Sequence, residues 1–128
     1  MKAYDIYKRT LALMFEGEGE DKAFKKNFCN ILSAVAAESL PYENSIRRAE
    51  GGEELKTAPV ISAMEDELPM SDAICSVALP FGVAAYFYQD DGESYNSSMY
   101  RERFVNALYE AKKVFFTDIK DVYGGENI

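Results

Sequence analysis

The sequence predicts an all-α fold: a single domain of about four helices, a bundle with a long irregular middle segment and a third helix kinked at a proline. Three observations carry this. Apolar residues recur at spacings of three and four in four separate stretches, the signature of one buried helix face. No stretch alternates with period two, so no strand is predicted. A chain of 128 residues with 48% hydrophobic and 13% aromatic content fits one domain with material for a core. At this length roughly two-thirds of the unfolded surface is buried on folding.

Tyr4, Tyr7, Leu11 and Met14 form the first stripe, with Lys8 and Arg9 on the opposite side. The helix should fail in the run from Glu16 to Asp21, where Gly17 and Gly19 alternate with glutamates. Asp21 is placed to cap a second helix carrying Phe24, Phe28, Ile31, Leu32 and Val35. Pro41 bounds that helix, because the residue before proline is pushed out of the helical region. Residues 41–69 then read as irregular, with Ile46 and the Val60-Ile61 pair as anchors and room for a short helix near Asn44–Ala49. Ser71 is the expected N-cap of a third helix, Asp72 suits the positive end of its dipole, and Met70 with Cys75 forms a hydrophobic staple. Its stripe is Ile74, Val77, Ala78, Phe81, Ala85 and Tyr88. Pro80 inside that stripe predicts a kink, or two short helices, and Gly82 beside it permits close backbone approach. After a turn over Gln89–Ser94, a fourth helix carries Tyr100, Phe104, Leu108, Ala111 and Phe115. Gly124-Gly125 ends it, and residues 118–128 are expected to form a flexible tail.

Composition removes several functions. The chain has no histidine, which excludes Ser-His-Asp and Cys-His nucleophile systems and the commonest ligand for zinc, copper and non-haem iron. Cys29 and Cys75 are far apart and form no CxxC, so neither a zinc site nor a disulfide framework is implied, and both fall inside helical patterns as small core residues. The opening residues are too polar for a signal peptide, and no run approaches a membrane span. A net charge of −8 opposes generic binding to nucleic acid or anionic lipid.

The short motifs read as structure. Gly17-x-Gly19 follows a helix, and its glutamates would repel a phosphate, so it ends a helix and holds no nucleotide. The run Asp90-Asp91-Gly92-Glu93 lacks the ligand spacing of an EF-hand loop and reads as a solvated turn. Glu65 with Glu67, or Asp90 with Asp91, would need a semi-buried pocket to divide their pKa values for acid–base work, and these stretches are highly charged. No catalytic, cofactor or metal residue is assigned, and the expectation is a protein that is not an enzyme and carries no cofactor.

Charge is unevenly spread. Residues 1–64 hold 10 acids and 9 bases, residues 65–128 hold 12 acids and 5 bases, and from Thr57 to Tyr100 there are seven acids and no base. Basic residues gather at Lys22/Lys25/Lys26, Arg47/Arg48 and Arg101/Arg103. An acidic zone and separate basic clusters suit head-to-tail association of identical subunits. Arg47, Arg48, Asp90 and Asp91 are the candidate subunit contacts. Nine tyrosines in a chain without tryptophan also suit an interface, several of them on the third and fourth helices.

Glu67-Leu68-Pro69-Met70-Ser71, then Ala78-Leu79-Pro80-Phe81-Gly82-Val83-Ala84-Ala85-Tyr86, the acidic turn Asp90–Glu93 and the helix through Tyr100, Phe104, Leu108, Tyr109 and Ala111 together resemble the C-terminal half of tailed-phage head-to-tail connector (adaptor) proteins. The resemblance spans Leu68 to Lys113, is weaker in the first two helices, and departs from the family pattern at Arg47–Glu54. It implies a virion structural protein of the neck, in the host bacterial cytoplasm during assembly, forming a ring, a dodecamer in that family's manner, below the portal. Its partners would be itself, the portal, and tail or neck proteins, with DNA only as passing cargo in an acidic lumen and no membrane. The resemblance also implies that the Pro41–Pro69 stretch and the tail after Thr117 meet neighbouring subunits. The alternatives are another phage neck or tail-completion protein, or a small acidic helical protein-binding or regulatory module.

Overall fold

The computed structural model describes residues 1–15 and 22–125, and the side chains of the last helix as far as Lys113. Its elements are α1 (Ala3–Leu13), α2 (Lys22–Glu50), a π-helical turn (Ile74–Ala78) running directly into α3 (Leu79–Asp90), and α4 (Ser94–Gly125). Among the described residues there is no strand, only an isolated antiparallel bridge between Lys2 and Glu67. The all-α single domain predicted from spacing is the fold observed.

One core joins all four helices. Tyr7 of α1, Phe28 and Leu32 of α2, Leu79 and Val83 of α3, and Phe104 and Leu108 of α4 are each at most 2% exposed. The rings of Tyr7, Phe24 and Phe28 meet edge-on or stacked at 5.1–6.0 Å, and Phe87 of α3 closes against Phe24 at 5.2 Å. Tyr88 and Tyr100 stack with centroids 5.5 Å apart, and the Tyr100 hydroxyl donates to the Leu13 carbonyl at 3.1 Å, tying α4 to the end of α1. Buried Thr10 and Ser39 donate to the carbonyls one turn back, Ile6 and Val35, so neither hydroxyl is unpaired in the core.

Helix ends follow local chemistry. α2 and α3 both stop at a glycine with positive φ, Gly51 at 79° and Gly92 at 77°. In each case the next two N–H groups fold back onto the last turn: Gly51 to Arg48 and Gly52 to Arg47, then Gly92 to Gln89 and Glu93 to Tyr88. This is the Schellman arrangement that a left-handed residue permits. Ser71 opens the third helical run as expected, its carbonyl accepting from the N–H groups of Ile74 and Cys75, each at 3.0 Å. Met70 and Cys75, the residues of the expected staple, are both buried, and the Cys75 thiol donates to the Met70 carbonyl at 3.6 Å. The break at Gly17–Gly19 and the cap at Asp21 lie outside the described residues.

Three expectations are corrected. Pro41 does not end α2; the helix continues to Glu50, so residues 41–50 are not irregular. Pro41 and Ala37, whose carbonyl loses its partner, both lie on the exposed side, where water can bond that carbonyl. The irregular segment is therefore residues 51–71, and it is fastened to the domain. Asn44 bonds both backbone groups of Leu55, Ser33 bonds both backbone groups of Ile61, and Ile61 is buried while Val60 is 81% exposed.

Second, the alternative of two short helices at Pro80 is not what forms, and the stripe expected to be buried around it is shifted. The backbone stays helical over residues 72–90, but the turn before the proline widens to π, with the Leu79 N–H donating to the Ile74 carbonyl five residues back. A proline has no N–H for the usual bond to residue 76, and a π turn changes the partners at that point. The extra residue shifts the stripe. Ile74, Cys75, Ala78, Leu79 and Val83 are buried, while Val77 is 48% exposed and Phe81 and Tyr88 are half-buried. Third, the backbone of residues 118–125 continues α4 where a tail was expected, and residues 126–128 lie outside the described residues.

Asp66 secures the other end of the irregular segment. Its carboxylate accepts from the backbone N–H groups of Ser62 at 2.9 Å and Ala63 at 3.1 Å, and these bonds hold its pKa below the ordinary 3.8. The turn they form presents the Asp66 and Met64 carbonyls to the N–H groups of Ala3 and Tyr4, both at 2.9 Å. A carboxylate with a depressed folded pKa contributes stability that is complete above its unfolded value and disappears as pH falls through the folded value. Asp66→Ala should therefore lower the thermal midpoint at neutral pH. The gap between variant and parent should close below pH 3.8, as followed by circular dichroism across a pH series.

Candidate interaction surface

The largely apolar groove of about 630 Å³ lies where the end of α2, the π turn with early α3, and the middle of α4 converge. Ile46, Ala73, Val77, Phe81, Ala107 and Ala111 give it an apolar floor, and Arg103, Asn106 and Glu110 stand along its α4 edge. The π turn creates this floor, since it rotates Val77 out of the core and leaves Phe81 only half covered. Small alanines on both walls leave space for a helix to approach closely.

Beside the groove, Glu43 is a carboxylate 2% exposed within α2. One oxygen accepts the Ser71 N–H at 2.7 Å, and the other accepts Arg47 Nε at 2.8 Å. Arg47 also donates to the Pro69 carbonyl at 2.6 Å and the Glu53 carbonyl at 3.3 Å. This cluster closes both ends of the irregular segment onto α2 and sets where the third helical run begins. A second polar cluster binds three helices together: the Tyr86 hydroxyl donates to Glu38 at 2.8 Å, and Arg101 pairs with the other Glu38 oxygen. Tyr86 is held above the ordinary tyrosine range chiefly by that bond, then by burial.

The four residues expected at subunit contacts fall at two ends of the molecule. Arg47 and Arg48 are near the end of α2, whereas Asp90 and Asp91 flank Ala23 and Asn27 at its beginning. The 20 residues from Asn27 to Arg47 correspond to roughly 30 Å of helix. The arginines are already engaged within the chain, Arg47 as above and Arg48 with Glu54 and Ser45. Asp90 and Asp91 are exposed and form no ion pair among the described residues. The structure brings neither pair to the other, and of the four only the aspartates are uncommitted.

Cys75 is fully buried, and burial pushes its thiol up to about 11; Cys29 is half-buried and raised for the same reason. Among the described residues no group of His, Cys, Asp or Glu is arranged to hold a metal ion, and no helix is long and apolar enough to cross a membrane. The groove itself was not visible in the sequence. Val77, Phe81 and Ala111 were expected on core stripes, and Ile46 was expected to anchor an irregular segment. The pointer that existed was Pro80, since a proline inside an apolar stripe marks a change of register. No known protein family, characterised protein or solved structure matches this chain.

Proposed function

We propose that this chain is a non-catalytic assembly subunit, a head-to-tail connector of the virion neck in a tailed phage or prophage, that associates with its own copies, the portal and tail proteins. The observation that carries the reading is the relation between the segments of the resemblance. Within the resembling stretch the helical run of residues 72–90 carries a π turn just before Pro80, the acidic turn at Asp91 and Gly92 follows it, and α4 returns packed against α3. A small helical body with an exposed groove and an acidic turn that forms no ion pair among the described residues offers separate contact surfaces, as a subunit placed between two larger assemblies needs. The net charge of −8 suits a channel wall along which DNA passes without adhering.

Disruption of the gene in its phage or prophage tests this. The expected result is filled heads and free tails that fail to join, with joining restored by the chain supplied in trans. Intact tailed particles from the disrupted strain would overturn the reading. A second reading, a protein-binding module outside any virion, is favoured by the apolar groove, and such a module would leave particle morphology unchanged.

A further inference from the structure

The groove-side stripe of α4 is complementary to itself when reversed. Arg103, Asn106, Ala107 and Glu110 share one face of the helix, at steps of three, one and three, and all four line the groove. When two identical helices pack antiparallel about a two-fold axis between Asn106 and Ala107, position 103 of one meets position 110 of the other, and each contact occurs twice. Arg103 then faces the partner's Glu110, and Glu110 faces the partner's Arg103. The two residues lie about 10.5 Å apart along their own helix, too far to satisfy one another. Among the described residues neither forms an ion pair; Arg103 only lies over the Tyr100 ring at 5.7 Å. The groove's remaining charge, Glu50, is a second acid available to the partner's arginine.

We propose that the chain pairs with a second copy through this groove, α4 lying antiparallel to the partner's α4 with Val77 and Phe81 of each copy covered by the other. Ala107 at the axis allows the helices to approach, and Val77, 48% exposed in the single chain, gains an apolar cover. The pairing does not rest on the connector reading. The groove lies at the start of α3 and the Asp90-Asp91 turn at its end, so a two-fold pair leaves the acidic turn free for other contacts.

Sedimentation of the full chain over a concentration series tests the pairing, with circular dichroism confirming that each variant is folded. The parent should form a dimer and nothing larger, weakened by added salt. Arg103→Glu or Glu110→Arg places two like-charged pairs in the contact and should weaken the dimer by about tenfold or more. The double variant R103E/E110R should restore it, and an equimolar mixture of the two single variants should form a heterodimer. A parent that stays monomeric to about 1 mM overturns the proposal and leaves the groove to a different protein. Failure of both the double variant and the mixture to pair overturns the two-fold geometry. A ladder of species beyond the dimer does the same while leaving the connector reading intact.

Discussion

Replacing Glu43 with alanine should destabilise the domain by about 3 kcal/mol, because it removes the acceptor of a buried ion pair and leaves its partners in place. The Ser71 N–H loses its carboxylate and the Arg47 guanidinium loses its Nε partner, although that side chain, 29% exposed, keeps some access to water. In a domain of this length the loss lowers the thermal midpoint by roughly 10 °C. The effect should be non-additive. Arg47→Ala strands a carboxylate inside the fold, whereas a paired replacement of both residues by leucine removes both buried charges and should recover much of the loss. Urea titration of Glu43→Leu, Arg47→Leu and the leucine pair gives the coupling energy. Additive losses would mean that Glu43 and Arg47 act independently.

Gly82→Val should be the most damaging change in α3. A Cβ at Gly82 would lie 2.5 Å from Val35 Cγ1 and 3.0 Å from the Phe104 ring, and both neighbours are fully buried. Val35 is β-branched with a stiff rotamer, so it cannot turn aside. Alanine here gains about 1 kcal/mol of helix propensity. It meets an overpacking cost of about 1–3 kcal/mol, so the smaller substitution is expected to be mildly destabilising. Valine adds two more methyls to the same contact, and a loss of about 3 kcal/mol or more is expected. Val35→Ala in the same chain should soften the effect of Gly82→Ala. A Gly82→Ala variant more stable than the parent would show that α2, α3 and α4 do not meet this closely.

Much of this architecture was legible because it depends on spacing. Tyr7, Leu11 and Met14, Phe28, Leu32 and Val35, and Phe104 and Leu108 were placed by helical period and are buried. Two of the three corrections concern proline, and both of these have a tertiary cause. Whether Pro41 ends a helix depends on whether the orphaned carbonyl faces water, which the packing of α2 decides. Which residues Pro80 turns to the core depends on the turn before it, and a π turn moves each later residue around the axis. Val77 and Phe81 were consequently assigned to the core stripe. The Glu43 cluster was hidden by the first failure, since a carboxylate in a segment read as irregular gives no reason to be buried. The link from Glu38 to Tyr86 joins residues 48 positions apart, and no local pattern announces it. Of the charged candidates, Arg47 and Arg48 looked available because their partners Glu43 and Glu54 were not known to be neighbours.

The claim that this chain is a neck subunit is tested most directly by quantitative mass spectrometry of tailed particles purified from the strain that carries the gene. The chain should be present in the particles at a fixed stoichiometry comparable to the portal and far below the coat protein. Complete absence from particles whose portal, coat and tail proteins are all detected would contradict it.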